Sequence, residues 1–220
     1  MSEQSLPLDE TVLFDPAAPG AIEMAADLIS EGGVVAIPTD TVYGIAASLS
    51  HPEALRRVFA IKHRDKSKPL PILVSSTDAL SRLIPDIDPN IALLLDAYWP
   101  GPLTVALEAP AGMPSEVLAS NGSIGVRLPN HRLAIELIER AGGVVACTSA
   151  NISGQDPAST AEDVMATVGS ALDGIVRGGV AASGIPSTVI RIEDGVIWTI
   201  REGPVPIEHI RATWDGLQGS

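Results

Sequence analysis

Residues 34–44 read Val34-Val35-Ala36-Ile37-Pro38-Thr39-Asp40-Thr41-Val42-Tyr43-Gly44. The first four are apolar and stand between a Gly-Gly pair and a proline, which predicts a short, fully buried strand. The next seven place hydroxyls, a carboxylate and a phenol directly after that strand. Because ligands of open α/β sheets tend to bind beyond strand ends, we expect this stretch to line a binding site. A plain turn is the alternative, since Thr and Asp cap backbone groups well.

Further apolar runs and helical periodicities follow along the chain. Helices are predicted over residues 17–30, 77–84, 89–98, 131–140 and 207–214, with two more opened by N-caps at Ser50 and Thr160. Strands are predicted over residues 34–37, 71–74, 103–107, 122–129, 144–146, 175–177, 189–192 and 196–201, with an Asp194-Gly195 hairpin turn between the last two. We therefore expect an α/β fold.

Gly and Pro are spread along the chain without a linker-like segment, which favours a single domain. We expect a lead-in over residues 1–17, one catalytic domain over residues 18–205 and a short C-terminal segment over residues 206–220. No additional domain is expected.

The composition restricts the class of protein. The 220 residues are 45% apolar and carry a formal net charge of −13, so an extended nucleic-acid surface, which needs many Lys and Arg, is disfavoured. No apolar run reaches about 18 residues, and the acidic, polar start is unlike a secretory signal. Cys147 is the single cysteine, which excludes an internal disulfide and, without a paired base, favours a packed residue over a nucleophile. A cytoplasmic protein without a membrane anchor is expected.

Basic residues are concentrated in one short stretch of this acidic chain. Residues 56–68 contain six of the fourteen Lys and Arg residues, which suggests a site for a small, highly charged anion. The C-terminus of the preceding helix would favour Lys62 and Arg64 in any case, but Lys66 and Lys68 lie beyond it. A solvated basic turn is the alternative.

Two other segments combine apolar strands with polar groups. Arg127 is set among apolar neighbours, where it needs either an internal carboxylate or an anionic ligand. Ser149 and Asn151 follow a buried strand. The chain contains no GxxxxGK[ST], GxGxxG, HExxH or GxSxG pattern, and no metal site is predicted. The remaining Thr, Ser, Asn, Lys and Arg side chains suit binding and alignment of anions rather than covalent catalysis.

Seven ordered motifs resemble those of the YrdC family, the threonylcarbamoyl-AMP synthases of tRNA modification. The motifs are PTDTVYG (38–44), Lys62-x-Arg64 with Lys68-Pro69, WPGPLT (99–104), GVRLP (125–129), TSANISG (148–154), PST (186–188) and REGP (201–204). The resemblance covers about residues 18–205. The resemblance implies a twisted mixed sheet with flanking helices and an open concave ligand-binding face.

The resemblance also implies a reaction. L-threonine and bicarbonate give a carbamate, whose oxygen attacks the α-phosphorus of ATP and releases pyrophosphate. ATP is a substrate, and Mg²⁺ would be carried mainly by its phosphates. Partner proteins would pass the threonylcarbamoyl group to an adenosine beside the tRNA anticodon, with tRNA bound by this chain at most weakly or indirectly.

Site residues follow by matching the motifs. L-threonine would be held by Thr41, Tyr43, Arg127 and Ser187. ATP and the developing charge would be held by Lys62, Arg64, Lys68, Ser123, Ser149, Asn151 and Arg201. Among the latter, Lys62, Arg64, Ser149 and Asn151 form the expected catalytic set.

Two alternatives stand beside this interpretation, and closure of the site is a separate expectation. The chain could be an inactive paralogue that acts as an RNA-binding module, although its bulk charge opposes this. A carbamoyltransferase of the hydrogenase-maturation type would normally be a longer chain with zinc-finger cysteines. Some family members close the site with a further C-terminal domain; here we expect closure by a partner, by the lead-in or by residues 205–220.

Overall fold

A computed structural model describes residues 10–181 and 183–219. Their strands form one sheet, which combines parallel and antiparallel neighbours and confirms the expected mixed α/β class. The strands are β1 (Val12–Phe14), β2 (Val35–Ile37), β3 (Gly44–Ala47), β4 (Ile72–Val74), β5 (Leu103–Glu108), β6 (Ser123–Arg127), β7 (Val144–Ser149), β8 (Gly174–Val176), β9 (Thr188–Glu193) and β10 (Val196–Arg201).

The helices lie between these strands and at the end of the chain. They are α1 (Ala21–Ser30), α2 (Pro52–Lys62), α3 (Thr77–Leu83), α4 (Pro89–Tyr98), α5 (Arg132–Arg140), α6 (Ala161–Thr167) and α7 (Ile207–Gln218). Among the described residues, no helix has the length and apolar character needed to cross a membrane.

The strand order is β1-β8-β2-β3-β7-β4-β6-β5-β9-β10. β8 runs parallel to both β1 and β2, β4 is parallel to β6, and β5 is parallel to β9. The other neighbours are antiparallel. The final hairpin turns at Asp194-Gly195 as predicted, with both residues at positive φ.

Apolar cores lie on both faces of the sheet. Alternate residues of β2 point to opposite sides: Ala36 belongs to one core, whereas Val35 and Ile37 belong to the other. The smaller core is covered by α1 and α5, which pack on the half of the sheet that includes β8, β2, β3, β7 and β4. Among the described residues, β6, β5, β9 and β10 contribute no side chain to this smaller core, so their part of this face stays open beside α5.

The structure corrects several local predictions. α2 begins at Pro52 with His51 as N-cap and no side-chain capping bond, so the predicted Ser50 cap is wrong. Thr160 caps α6 as predicted and forms a capping box with Asp163. α1 begins four residues later than predicted, because Gly20 adopts a left-handed conformation there.

The lead-in expected over residues 1–17 contains a strand, β1. Residues 1–9 lie outside the described residues, but β1 pairs with β8, and Phe14 packs against Gly174 so closely that an added Cβ would lie 2.5 Å from its ring. Three residues carry too short a pattern to signal a strand. β3 was also missed, because its Gly-Ile-Ala-Ala sequence has little β propensity and is recruited by pairing with β2 and β7.

Candidate functional site

A polar cleft lies on the open face of the sheet. Register places its side chains there, because directly paired residues share a face: Gly44 pairs with Ser149, Leu73 with Arg127, and both Thr104 and Arg201 pair with Val189. The cleft is lined by Thr39, Thr41, Val42, Tyr43, Gly44, Arg64, Pro71, Leu73, Thr104, Arg127, Cys147, Thr148, Ser149, Pro186, Ser187 and Arg201. The cleft takes residues from six strands, β3, β4, β5, β6, β7 and β10. It lies largely at strand ends, because Arg127, Ser149 and Arg201 are the last residues of β6, β7 and β10. The expected open face is confirmed.

Arg127 is the central cation of the cleft. It is 6% exposed, more deeply buried than the sequence suggested. Nε donates to the Gly101 carbonyl at 2.9 Å, Nη1 donates to the Thr41 hydroxyl at 2.9 Å, and Nη2 pairs with the Asp40 carboxylate. The open question of its partner thus has an internal answer in Asp40. A guanidinium has five N–H donors, so two remain uncommitted among the described residues.

Three guanidinium groups give the cleft its charge. Burial lowers the pKa of Arg127, and the Asp40 carboxylate opposes that shift. Burial likewise lowers the pKa of Arg64. The pKa of Arg201 is also lowered, chiefly by partial desolvation of its guanidinium and secondarily by the nearby charges of Arg127 and Arg64. Since arginine stays protonated in proteins, these mutually repelling cations form a site that a polyanion would stabilise.

The PST and REGP motifs meet at one wall of the cleft. Arg201 donates through Nε to the Ser187 carbonyl at 3.0 Å and through Nη2 to the Ser187 hydroxyl at 3.2 Å. The same hydroxyl lies 2.8 Å from the Thr104 hydroxyl. Gly203 permits the REGP and PST segments to lie this close together, because a Cβ there would lie 2.3 Å from the backbone nitrogen of Thr188. The two motifs consequently form one rigid wall.

The PTDTVYG loop forms the opposite wall. The Thr39 hydroxyl donates to the Val42 carbonyl at 2.6 Å and accepts the Thr41 amide at 3.2 Å, so Thr39 stabilises the turn from within. The Tyr43 hydroxyl accepts the Gly178 amide at 2.9 Å, and its pKa is raised chiefly by burial. Part of this segment is thus the plain capped turn of the alternative interpretation, while Thr41 faces Arg127.

Gly44 is required by close packing at the base of this wall. An added Cβ would lie 2.4 Å from the Cys147 sulfur. Burial raises the pKa of the Cys147 thiol to about 12, against the opposing charges of Arg127 and Lys62. Cys147 is therefore a packed small residue, as the sequence indicated.

Seven of the predicted site residues line the cleft: Thr41, Tyr43, Arg64, Arg127, Ser149, Ser187 and Arg201. The other four do not. Lys62 and Asn151 are buried and bond to each other at 3.0 Å. Lys68 is exposed on the turn, where its carbonyl accepts Arg64 Nε at 2.8 Å.

Ser123 lies on the same face of β6 as Arg127. The two are four residues apart, or about 13 Å along a strand, and Gly125 between them presents no side chain. Ser123 donates to the Asn121 side chain at 2.8 Å and stands outside the cleft lining. A ligand would have to extend along β6 to reach it.

Asp40 and Thr104 were missed as site residues. Both lie inside quoted motifs, PTDTVYG and WPGPLT, but a single sequence does not show that Asp40 meets Arg127 or that Thr104 meets Ser187 across the sheet. The available signal was Arg127 itself, whose apolar neighbours called for either an internal carboxylate or an anionic ligand. In the described part of the chain, no cluster of three or more His, Cys, Asp or Glu residues could hold a metal ion.

Comparison with known proteins places this arrangement in a family. A family model named Sua5/YciO/YrdC, described as telomere recombination, matches residues 27–203. The chain belongs to the Sua5/YciO/YrdC family. The threonylcarbamoyl-AMP synthase of Pyrococcus abyssi is 35% identical over 189 residues, which cover 86% of this chain and 56% of the relative. That of Bacillus subtilis is 33% identical over 205 residues, covering 93% and 58%.

A solved structure of P. abyssi Sua5 complexed with L-threonine superimposes with a TM-score of 0.85 at 32% identity. The match covers 92% of this chain and 60% of that chain. This Sua5/YciO/YrdC protein thus spans somewhat more than half the length of these relatives, and the resemblance noted in its sequence is confirmed at the level of family and fold.

Proposed function

We propose that this protein is a threonylcarbamoyl-AMP synthase, an adenylyltransferase that uses L-threonine, bicarbonate and ATP. The observation that carries the proposal is Arg127, buried at the centre of the cleft with two uncommitted N–H donors and flanked by two further guanidiniums. A paired set of N–H donors matches a carboxylate, and the surrounding cations match a triphosphate. The names of the relatives and the L-threonine bound to P. abyssi Sua5 support the same assignment.

In this proposal, Arg127 binds the carboxylate of L-threonine, and Thr41 and Ser187 contact the remainder of the amino acid. Tyr43 walls this side of the cleft. The threonine nitrogen bonds to the bicarbonate carbon, and loss of water leaves a carbamate. The amino acid is thereby held with its carbamate directed toward the bound nucleotide.

Arg64, Ser149 and Arg201 bind the ATP phosphates, with Lys68 and Ser123 as outer contacts. A carbamate oxygen bonds to the α-phosphorus while the bond to the bridging oxygen breaks and pyrophosphate leaves. The guanidiniums of Arg64 and Arg201 stabilise the charge that develops on the phosphoryl oxygens, and the cleft aligns the two reactants. Mg²⁺ would accompany ATP on its phosphates, since the described residues offer no carboxylate cluster for it.

The proposal extends to the cellular role. The product would be passed by threonylcarbamoyl-transferase proteins to an adenosine beside the tRNA anticodon. The net charge of −13 supports indirect rather than direct contact with tRNA. The buried, free Cys147 suits a reducing cytoplasm.

The decisive experiment measures pyrophosphate release from ATP with L-threonine and bicarbonate omitted in turn. Release that needs both substrates supports the synthase, and mass spectrometry of the nucleotide should then detect threonylcarbamoyl-AMP. Release that needs neither contradicts it and indicates a plain ATPase. No release by folded protein would favour the inactive, RNA-binding alternative, which a salt-dependent gel shift with tRNA would then test.

A further inference from the structure

The loop of residues 149–155 is wrapped around one buried amine. The Lys62 ammonium is the last side chain of α2 and is 1% exposed. It donates to the Ser149 carbonyl, to the Asn151 carbonyl at 2.7 Å and to Asn151 Oδ1 at 3.0 Å. An ammonium has three N–H donors, so every donor of Lys62 is already used inside the protein.

Asn151 is saturated in the same way. Its Oδ1 accepts from Lys62, and its Nδ2 donates to the carbonyls of Ile152 at 2.9 Å and Gln155 at 2.7 Å. The backbone of Lys62 also takes part, because its carbonyl accepts the Ser153 amide at 2.8 Å. Neither side chain lines the cleft.

Ser149 is the member of this loop that reaches the cleft. Its carbonyl is held by Lys62 and by the Asn151 amide at 3.1 Å, whereas its hydroxyl has no hydrogen-bond partner among the described residues. Lys62 and Asn151 therefore hold the loop backbone on the side away from the cleft, and the hydroxyl of Ser149 remains free at the cleft.

From this arrangement we propose that Lys62 and Asn151 are positioning residues: they fix the 149–155 loop so that Ser149 faces ATP, and neither side chain touches the nucleotide. The inference rests on the proposed function, and it revises the expectation from sequence that both residues contact ATP directly. Burial lowers the pKa of Lys62 to about 8, which is consistent with an amine enclosed by carbonyls and kept from solvent.

Two measurements test the inference. The first needs no substrate: hydrogen–deuterium exchange of residues 149–155 in the free protein, for wild type, Lys62→Met, Asn151→Ala and Arg64→Met. Positioning predicts at least tenfold faster exchange in Lys62→Met and Asn151→Ala than in wild type. Arg64→Met, the matched control that removes a cation two residues away, should exchange at the wild-type rate. Unchanged exchange in Lys62→Met would overturn the inference even if the protein proves not to be a synthase.

The second measurement is a double-mutant cycle on turnover. Misplacement of an aligned group by about 1 Å can cost about 100-fold, so Lys62→Met should lower kcat by about 10- to 100-fold with little change in the KM for ATP. In a Ser149→Ala background, the same change should cost less than threefold, because the residue through which Lys62 acts is gone. In an Arg201→Met background it should keep its full effect.

Other outcomes of the cycle contradict positioning. A large rise in the KM for ATP, or full additivity with Ser149→Ala, would indicate direct contact with the nucleotide. If Lys62→Met lowers thermal stability and its effects on turnover are additive with those of Ser149→Ala, the role of Lys62 is purely structural. If wild type itself releases no pyrophosphate, the proposed function fails, and the exchange experiment alone decides the role of Lys62 in the loop.

Discussion

Arg127 and Asp40 form an ion pair in which the two side chains are only 7% and 13% exposed. Removing one member of a buried pair leaves the other charge uncompensated, at a cost of about 3–5 kcal/mol. We expect Asp40→Ala to lower the free energy of unfolding by about that amount in urea denaturation. The control is Glu23→Ala, which breaks the surface pair with Arg140 and should cost at most about 1 kcal/mol. Equal effects of the two substitutions would contradict the assignment of a buried pair.

Arg64→Ala tests the cation next to the proposed triphosphate. Turnover should fall by about 100-fold, as for loss of one preorganised donor to a transition state, while the fold is retained because Arg64 bonds only the carbonyls of an exposed turn. Steady-state pyrophosphate release measures the change. Arg56→Ala is the matched control, because Arg56 belongs to the same basic stretch but forms a surface pair with Glu53. Near-normal turnover of Arg64→Ala would remove that residue from the site.

Gly44→Ala tests the packing beneath the PTDTVYG loop. The new Cβ would overlap the Cys147 sulfur, and overpacking of this kind costs about 1–3 kcal/mol. Removing the sulfur should remove this overlap, so the double variant Gly44→Ala/Cys147→Ala should be more stable than Gly44→Ala alone. Thermal and urea unfolding of the four proteins in the cycle provide the comparison. A double variant that is less stable than both single variants would show that the sulfur is not the obstacle.

Lys62 predicts a particular dependence of stability on pH. Burial lowers its folded-state pKa to about 8 from the ordinary lysine value of 10.5, so between these values the unfolded chain binds more protons than the folded one. Stability therefore rises with pH across this window. The difference in the free energy of unfolding between wild type and Lys62→Met should shift in favour of wild type between pH 7.5 and pH 10.5, by at most about 3 kcal/mol. Lys66→Met controls for the loss of one exposed charge, and a gap that stays constant or narrows would contradict the shift.

Elements with strong local signals were predictable from the sequence. The helix at residues 89–98 has its predicted bounds, because a proline at its first turn and an Asp88 cap define its start. The hairpin at Asp194-Gly195 was equally clear. By contrast, β1 and β3 are short and exist through pairing with distant strands, a tertiary contribution that no local pattern contains.

The site was predictable in its residues more than in its geometry. Motifs identified most of the cleft lining, but they could not separate side chains that face the cleft from those that support it. Lys62 and Arg64 are two residues apart in one motif; the first points into the protein and the second into the cleft. That difference depends on how α2 packs against the 149–155 loop. Similarly, the pairing of Arg127 with Asp40 is a contact across 87 positions.

The cleft is assembled from segments spread between Thr39 and Arg201, so no short segment of the chain can form it alone. During synthesis, the binding surface can form only after β10 has left the ribosome and joined the sheet. Ligand binding then adds stability to the entire folded chain, by RT ln(1 + [L]/Kd). Nucleotide affinity is accordingly a sensitive reporter of complete folding, and variants trapped with an unjoined C-terminal hairpin should lose it altogether.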